Sequence, residues 1–554
     1  EGSMTGGGGS LIKVDGGSNG GFFTNQPGGT VSTAFHLLSS DLNINGALTL
    51  STFTFSGGVV NGPEAITMTS GGTFTWTGGI IGTTAVIDIG AGATATFNNA
   101  GEARGTINNS GTVIMTDGVL TGGPNQPATF NNLPNAVVEL NGWSTTVEPW
   151  HMVTNNQGTI NKNNGTVSFT FGNFFSGKSF TNLAGGVVNV NSGTLAFNLP
   201  FPFQNGTFNV AGGTTLTGSE PFNFAGPAVV NNGSITTPVL RYQGTNAQQL
   251  NGTGSINNLA IDNSAGVDLG GVQTVTNALT LATGQLRLGS NDLFVENNAF
   301  GAVTGGNANS WVVNNGTGSL HRQVIGSGYL FPVGTTSYTP LTMSTTGLQD
   351  RFSVRVQNGV STNYGSPGAA TGAPITARAV GRTWVVAEQV NGGNAADITL
   401  QWSAADELQQ FNRSLCTVSR YDGTDWVTGT YAAALGGGPF TRAITGVSGF
   451  REYGVSDNLL NLNTALDEEP MRPASRLRLY PQPADQVLHI AAAEGHSMTG
   501  ARLLDASGRE ALQPVQTNAD RATLDVSNLA PGVYVLEWSD PAHGLGRTSV
   551  MITR

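Results

Sequence analysis

One short phrase recurs through the first 300 residues and limits what they can fold into. Asn108-Asn109-Ser110-Gly111-Thr112-Val113 returns as Asn155-Asn156-Gln157-Gly158-Thr159-Ile160, as Asn163-Asn164-Gly165-Thr166-Val167 and as Asn231-Asn232-Gly233-Ser234-Ile235. A looser copy is Gly254-Ser255-Ile256 followed by Asn257-Asn258-Leu259. Asn and Gly accept the positive φ of a tight turn, and Thr with a β-branched residue then opens a strand. Turn glycines at 105 and 111, 158 and 165, and 206 and 213 lie six or seven apart. Larger steps, 158 to 186, 186 to 206, 206 to 233 and 233 to 254, run 20 to 28 residues. Three short strands per coil of that length describe a parallel β-helix, or β-solenoid. Each coil would bury Val, Ile, Leu and Phe by stacking on its neighbours, and inward Asn at the turns would ladder from coil to coil. An antiparallel sandwich array is the competing arrangement.

Composition fits an all-β chain of several domains. The 554 residues exceed one ordinary domain. Charged residues are 10%, against roughly 25% in average soluble proteins. Apolar runs stay well short of the roughly 20 residues a spanning helix needs. A net charge of −11 and three lysines, Lys13, Lys162 and Lys178, argue against nucleic acid as a partner, because its phosphates reward clustered cations. The single cysteine, Cys416, stands in Ser414-Leu415-Cys416-Thr417-Val418. It reads as a buried, inert strand thiol. The opening EGSMTGGGGS has neither a basic start nor an apolar stretch, so a signal peptide is expected to lie outside this sequence.

Charge density rises along the chain, from about 20 charged residues in 1–300 to about 37 in 301–554. That shift predicts a Gly/Asn/Thr-rich solenoid over 1–300 and a second domain over 301–457. The second segment carries strand-like runs such as Tyr329-Leu330-Phe331, Phe352-Ser353-Val354, Arg382-Thr383-Trp384 and Ile398-Thr399-Leu400, which suggest a β-sandwich. Residues 458–475, with Asp467-Glu468-Glu469 and two prolines, read as a linker.

The densest motifs lie in 476–554. Tyr480-Pro481-Gln482-Pro483-Ala484 opens the segment and Asp505-Ala506-Ser507-Gly508 makes a turn. Leu529-Ala530-Pro531-Gly532-Val533-Tyr534 starts a strand, and Arg554 closes the sequence. By alternation this is a small Ig-like β-sandwich. The segment resembles the type A C-terminal sorting domain of type IX secretion cargo, with its YPNPA-like opening, D-x-x-G turn, L-x-x-G-x-Y strand and basic last residue. Tyr480, Pro481, Pro483, Asp505, Gly508, Leu529, Gly532, Tyr534 and Arg554 fill those places in order, with Gln482 where Asn is usual. The resemblance implies export in a Bacteroidetes-like bacterium through the type IX translocon. It also implies a sortase that cuts near the linker and attaches the body to an anionic lipopolysaccharide, leaving the protein secreted or on the outer-membrane surface. The phrases YLFPVG, TWVV, LQW, FNRS and GVSGFREYGVSD look like a module of large Bacteroidetes surface proteins, and the body resembles their adhesin-like β-solenoids.

Catalytic patterns are sparse. His36, His151, His321, His489, His496 and His543 form no HExxH or similar ligand pair, so neither a metal nor another cofactor is expected. Asp88, Glu102, Asp117, Glu139 and Glu148 are dispersed, with Arg104 the nearest cation. Trp143 with Glu148, Trp150 and His151 is the richest local chemistry and suits glycan contact, unless its tryptophans are buried. The expected function is non-enzymatic: an exported, surface-displayed β-solenoid that acts as adhesin, matrix or structural component, with a polysaccharide or cell-surface ligand. The alternative is a secreted β-helix polysaccharide lyase or hydrolase.

Overall fold

The computed structural model describes residues 3–4, 11–15, 22–27, 30–31, 33–98, 101–117, 120–122, 128–141, 150–165, 168–172, 177–463, 466–467, 477–492, 498–512, 516–518, 520–540 and 544–553. They fall into two compact units, residues 1–458 and 459–554.

Residues 11–334 wind as a β-solenoid of about 14 turns. Ile80–Ile81, Val86–Ile89 and Thr94–Asn98 make one coil; Glu102–Ala103, Thr106–Asn109 and Thr112–Asp117 make the next. Each strand pairs in parallel with its counterpart one coil on: Ile80 with Glu102, Val86 with Thr106, Thr94 with Thr112. The pairing is parallel, so the antiparallel array is not formed here. Alternation sends every second side chain inward. Phe53 stacks on Phe74 at 5.1 Å and Phe55 on Trp76 at 6.0 Å, so aromatic columns fill the first coils.

The repeated Asn-Asn phrase builds two ladders, one on each side of the coil wall. In the phrases at 108–113 and 155–160 the second Asn points inward, whereas at 231–235 the first, Asn231, is buried, and Asn164 is exposed. Asn109 donates to Asn132 (2.8 Å), Asn132 to Asn156 (2.7 Å) and Asn156 to Asn182 (2.7 Å), all four side chains being buried. The same amides also reach the carbonyls of Val137, Thr159, Val187 and Thr207. These bonds satisfy the backbone where the coil turns a corner. In the phrases at 108–113 and 155–160 the first Asn points outward: Asn155 donates to Asn131, Asn131 to Asn108, and Asn108 to Asp88. The glycine of the phrase is a matter of space. A Cβ on Gly158 would lie 2.6 Å from the Leu133 carbonyl oxygen and 2.7 Å from the Asn132 amide nitrogen.

The coiling does not stop at the composition shift near residue 300. Val312–Val313 still pairs in parallel with Val333–Gly334, and one hydrophobic core runs from Val31 to Val455. Charge rises there for another reason: the solenoid sheet carries on sideways as an antiparallel sheet. Leu320–Val324 pairs with Asp350–Asn358, which pairs with Arg382–Glu388, then Glu452–Asp457, then Cys416–Tyr421. A second antiparallel sheet holds Tyr329–Phe331, Leu341–Thr345, Ala396–Trp402 and Phe440–Val447. The sandwich-like sheets of 301–457 are therefore fused to the last coils. Cys416 is buried in this core, and burial pushes its thiol up.

The second unit has its own core, including Leu488, Ile490, Leu503, Leu524, Leu536 and Val550. One four-stranded antiparallel sheet contains Leu477–Tyr480, Val487–Ala492, Arg521–Asp525 and Gln516–Asn518. The other contains Glu510–Leu512, Thr499–Leu504, Gly532–Asp540 and Gly544–Ile552. Of the segment read as a linker, 458–463 and 466–467 are described, and Leu460–Asn461 pairs with Leu466–Asp467.

Candidate functional site

The C-terminal motifs have distinct structural duties. Tyr480 ends the first strand half exposed, with its ring 5.3 Å from that of His489. The exposed Pro481-Gln482-Pro483 segment crosses to the last strand, where Gln482 Oε1 accepts from the Met551 amide at 3.1 Å. Asp505 caps its turn by accepting from the Ser507 hydroxyl and from the Ser507 and Arg509 amides. Those bonds, the Ser507 hydroxyl foremost, hold its carboxyl below the usual range. Gly508 follows at φ 77°, which favours glycine. Leu529 packs on the core, and Gly532 starts the strand on which the Tyr534 hydroxyl reaches back to the Ala530 carbonyl at 2.9 Å. Val533 faces Met551 across the final strand pair, and both are exposed. The opening, the L-x-x-G-x-Y strand and the last strand thus meet at one end of this unit. Arg554 lies outside the described residues.

Sequence reasoning missed one residue here. Glu537 is buried, accepting from Arg502 Nε at 2.7 Å and Arg547 Nε at 2.8 Å on the flanking strands. The two arginines hold its carboxyl below the usual carboxylate range. A depressed carboxylate stabilises the fold above its unfolded pKa, about 4.3, and that support is lost as pH falls through the lower folded value. The second unit should therefore lose thermal stability on acidification below about pH 4, and Glu537→Gln should flatten that dependence. Equal acid sensitivity in wild type and variant would refute the assignment.

Of the Trp143 cluster, Trp150 and His151 are described. Trp143 and Glu148 lie outside the described residues. Trp150 is 1% exposed. It bridges Leu120 and Phe171 in neighbouring coils, meets Phe130 edge-on at 4.8 Å and donates to the Thr154 hydroxyl at 2.9 Å. His151 is buried beside it. Neither ring offers a face to a sugar; Trp150 is a core side chain.

Among the described residues, three of the dispersed carboxylates of the solenoid are engaged locally. Glu102 holds Arg104, Asp88 accepts from Asn108, and Glu139 accepts from Asn161 and Asn163. The side chain of Asp117 is not described.

A hollow of about 320 Å³ on the shared sheet was not anticipated. Register aligns Phe294, His321, Ser353 and Ala387 on four adjacent strands. Phe294 and His321 stack at 4.2 Å and 25°, and small Ser353 and Ala387 leave the space beside them open. Arg351 lies 5.1 Å from the centre of the Phe294 ring and grips Glu296 through two contacts of 2.6 and 2.7 Å. Nε2 of His321 is 3.4 Å from Asp292 without hydrogen-bond geometry. Burial pulls the imidazole below its usual value, so it is neutral at pH 7. The other Asp292 oxygen accepts from the Ser319 amide, and Glu388 accepts from the Gly392 amide and Asn394. The run Leu320-His321-Arg322-Gln323 shows no apolar alternation in sequence, because the inward position after Leu320 is the buried Arg322. The pairing of His321 with Phe294, 27 positions earlier, was not visible in sequence either.

Among the described residues, no group of three or more His, Cys, Asp or Glu side chains could hold a metal, and no helix is long and apolar enough to cross a membrane. No curated protein and no solved structure matches the chain. Residues 478–546 match the family described as Secretion system C-terminal sorting domain. The match covers the strands and turns in which Tyr480, Asp505 and Gly532 stand. The chain therefore carries a C-terminal sorting domain of type IX secretion and is a cargo exported to the cell surface or the extracellular space.

Proposed function

We propose that the exported body is a non-catalytic, surface-displayed β-solenoid serving as an adhesin or as a matrix or structural component. The observation that carries this reading is the state of five outward carboxylates. Asp88, Glu102, Glu139, Asp268 and Glu296 are each committed to a neighbouring amide or arginine. A carboxylate that acts as general acid or base must be free to face its substrate. What the coils offer outward instead is repeated Asn, Thr and Ser, suited to many weak contacts along a long surface. On the same reading the body comes from a Bacteroidetes-like bacterium, and a sortase attaches it to an anionic lipopolysaccharide.

The alternative, a polysaccharide lyase or hydrolase, is favoured by the gathering of Asp292, Glu296, His321, Arg351 and Glu388 around the hollow beside Phe294. One screen of the full chain separates the two. Glycan arrays and soluble polysaccharides should show retention without new reducing or unsaturated ends. Release of either kind of end overturns the non-catalytic reading.

A further inference from the structure

The hollow beside Phe294 is one end of a longer feature. Upstream, Thr215 pairs with Ser234, Ser234 with Ser255, Ser255 with Thr274, and Thr274 with Phe294. One straight outward row therefore runs from Thr215 through Phe294 and His321 to Ala387. Every member is partly exposed. A second hollow, of about 490 Å³, lies on the hydroxyl end of the same row. Its edge is kept low by the turn residues Gly213, Gly233 and Gly254. At roughly 4.8 Å between strands the row is about 34 Å long.

We infer that this row is a binding groove for an extended, uncharged polysaccharide lying across the strands, with Phe294 and His321 as its anchoring platform. This deepens the adhesive reading above and rests on it. Three features select the occupant. The length fits a polymer rather than a single sugar. The floor from Thr215 to Thr274 is lined with hydroxyls, those of Ser234 and Ser255 bonded to each other at 3.0 Å, whose remaining donor and acceptor capacity matches that of sugar hydroxyls. Beyond Thr274 the row carries the Phe294–His321 stack; the ring faces turned away from each other, toward Thr274 and toward Ser353, are the ones left to take the C–H side of a pyranose ring. Charge excludes polyanions. Arg351 is cancelled by Glu296, the imidazole is neutral, and Asp292 and Glu388 leave the anchoring end slightly negative. Arg351 and Gln389 rim the platform and supply planar donors beside it.

The test is affinity electrophoresis of the full chain through soluble mixed-linkage β-glucan and galactomannan, with polygalacturonate as the charged comparison. Wild type should be retarded by a neutral polymer and not by polygalacturonate. Phe294→Ala should weaken retardation about tenfold or more, as loss of a central aromatic anchor does. Thr274→Lys places a bulky charge midway along the row. It should weaken binding of the polymer and spare binding of the corresponding disaccharide at the platform. Unfolding midpoints confirm that both variants are folded. Retardation of both variants equal to wild type overturns the groove and leaves adhesion standing. Preference for polygalacturonate, or no retardation of wild type by either neutral polymer, overturns the groove too. Adhesion is then judged separately, by whether the purified chain still aggregates cells.

Discussion

Removal of residues 476–554 should abolish surface display and leave the body inside the cell envelope. The expected effect is close to all-or-none, because the deleted segment contains the whole match to the sorting family. The body keeps its own continuous core without that segment, since the two units divide at Asn458 and Leu459. The truncated chain should therefore remain folded and protease-resistant while failing to reach the surface. Fractionation with surface labelling reads the first property, and limited proteolysis of the retained pool reads the second. Normal display of the truncation would refute the sorting assignment. A degraded pool would refute the independence of the body.

The second large effect concerns the buried amide ladder. Asn156→Leu keeps the number and branching of side-chain heavy atoms but removes both ends of a rung. The Asn132 amide loses the acceptor it has on Asn156, and Asn182 Oδ1 loses its donor. The Val187 carbonyl loses a further partner. Each lost bond costs about 1 kcal/mol net, and each buried polar group left unpaired adds about 1–3 kcal/mol. The expected loss is about 3–5 kcal/mol, read as a lower urea midpoint. In a stack of coils the damage should also lower cooperativity at that point, since each coil is held only by its neighbours. A loss below about 1 kcal/mol would mean that the ladder is ornamental to stability.

Both results bear on what the sequence made legible. The Asn-Asn phrase could be read because turn chemistry is local. Gly111 and Gly158 mark corners, and the paired Asn residues before them face opposite ways, as strand alternation requires. The C-terminal motifs could be read for the same reason, each being a turn or a turn-strand junction. Trp150 could not. Its inward position depends on the phase of the chain after residues 142–149, and nothing in the local pattern sets that phase. The hollow beside Phe294 was hidden similarly, since its members come from strands whose register is set by coils of unequal length. The change near residue 300 was real in composition but marked no gap in the core. It reflects antiparallel strands that join the solenoid sheet, with paired charges such as Arg351–Glu296 on their outer face.

The strand Glu452–Asp457 leaves the body immediately before Asn458. It is buried at all six positions and hydrogen-bonded on both sides, to Arg382–Glu388 and to Cys416–Tyr421. Tension applied at Asn458, the point through which any tether on the C-terminal side must act, therefore loads an interior strand. Such a strand cannot be peeled from an edge one bond at a time; two ladders must shear together. A protein held at a cell surface against flow would be gripped through a strand that its core encloses on both sides.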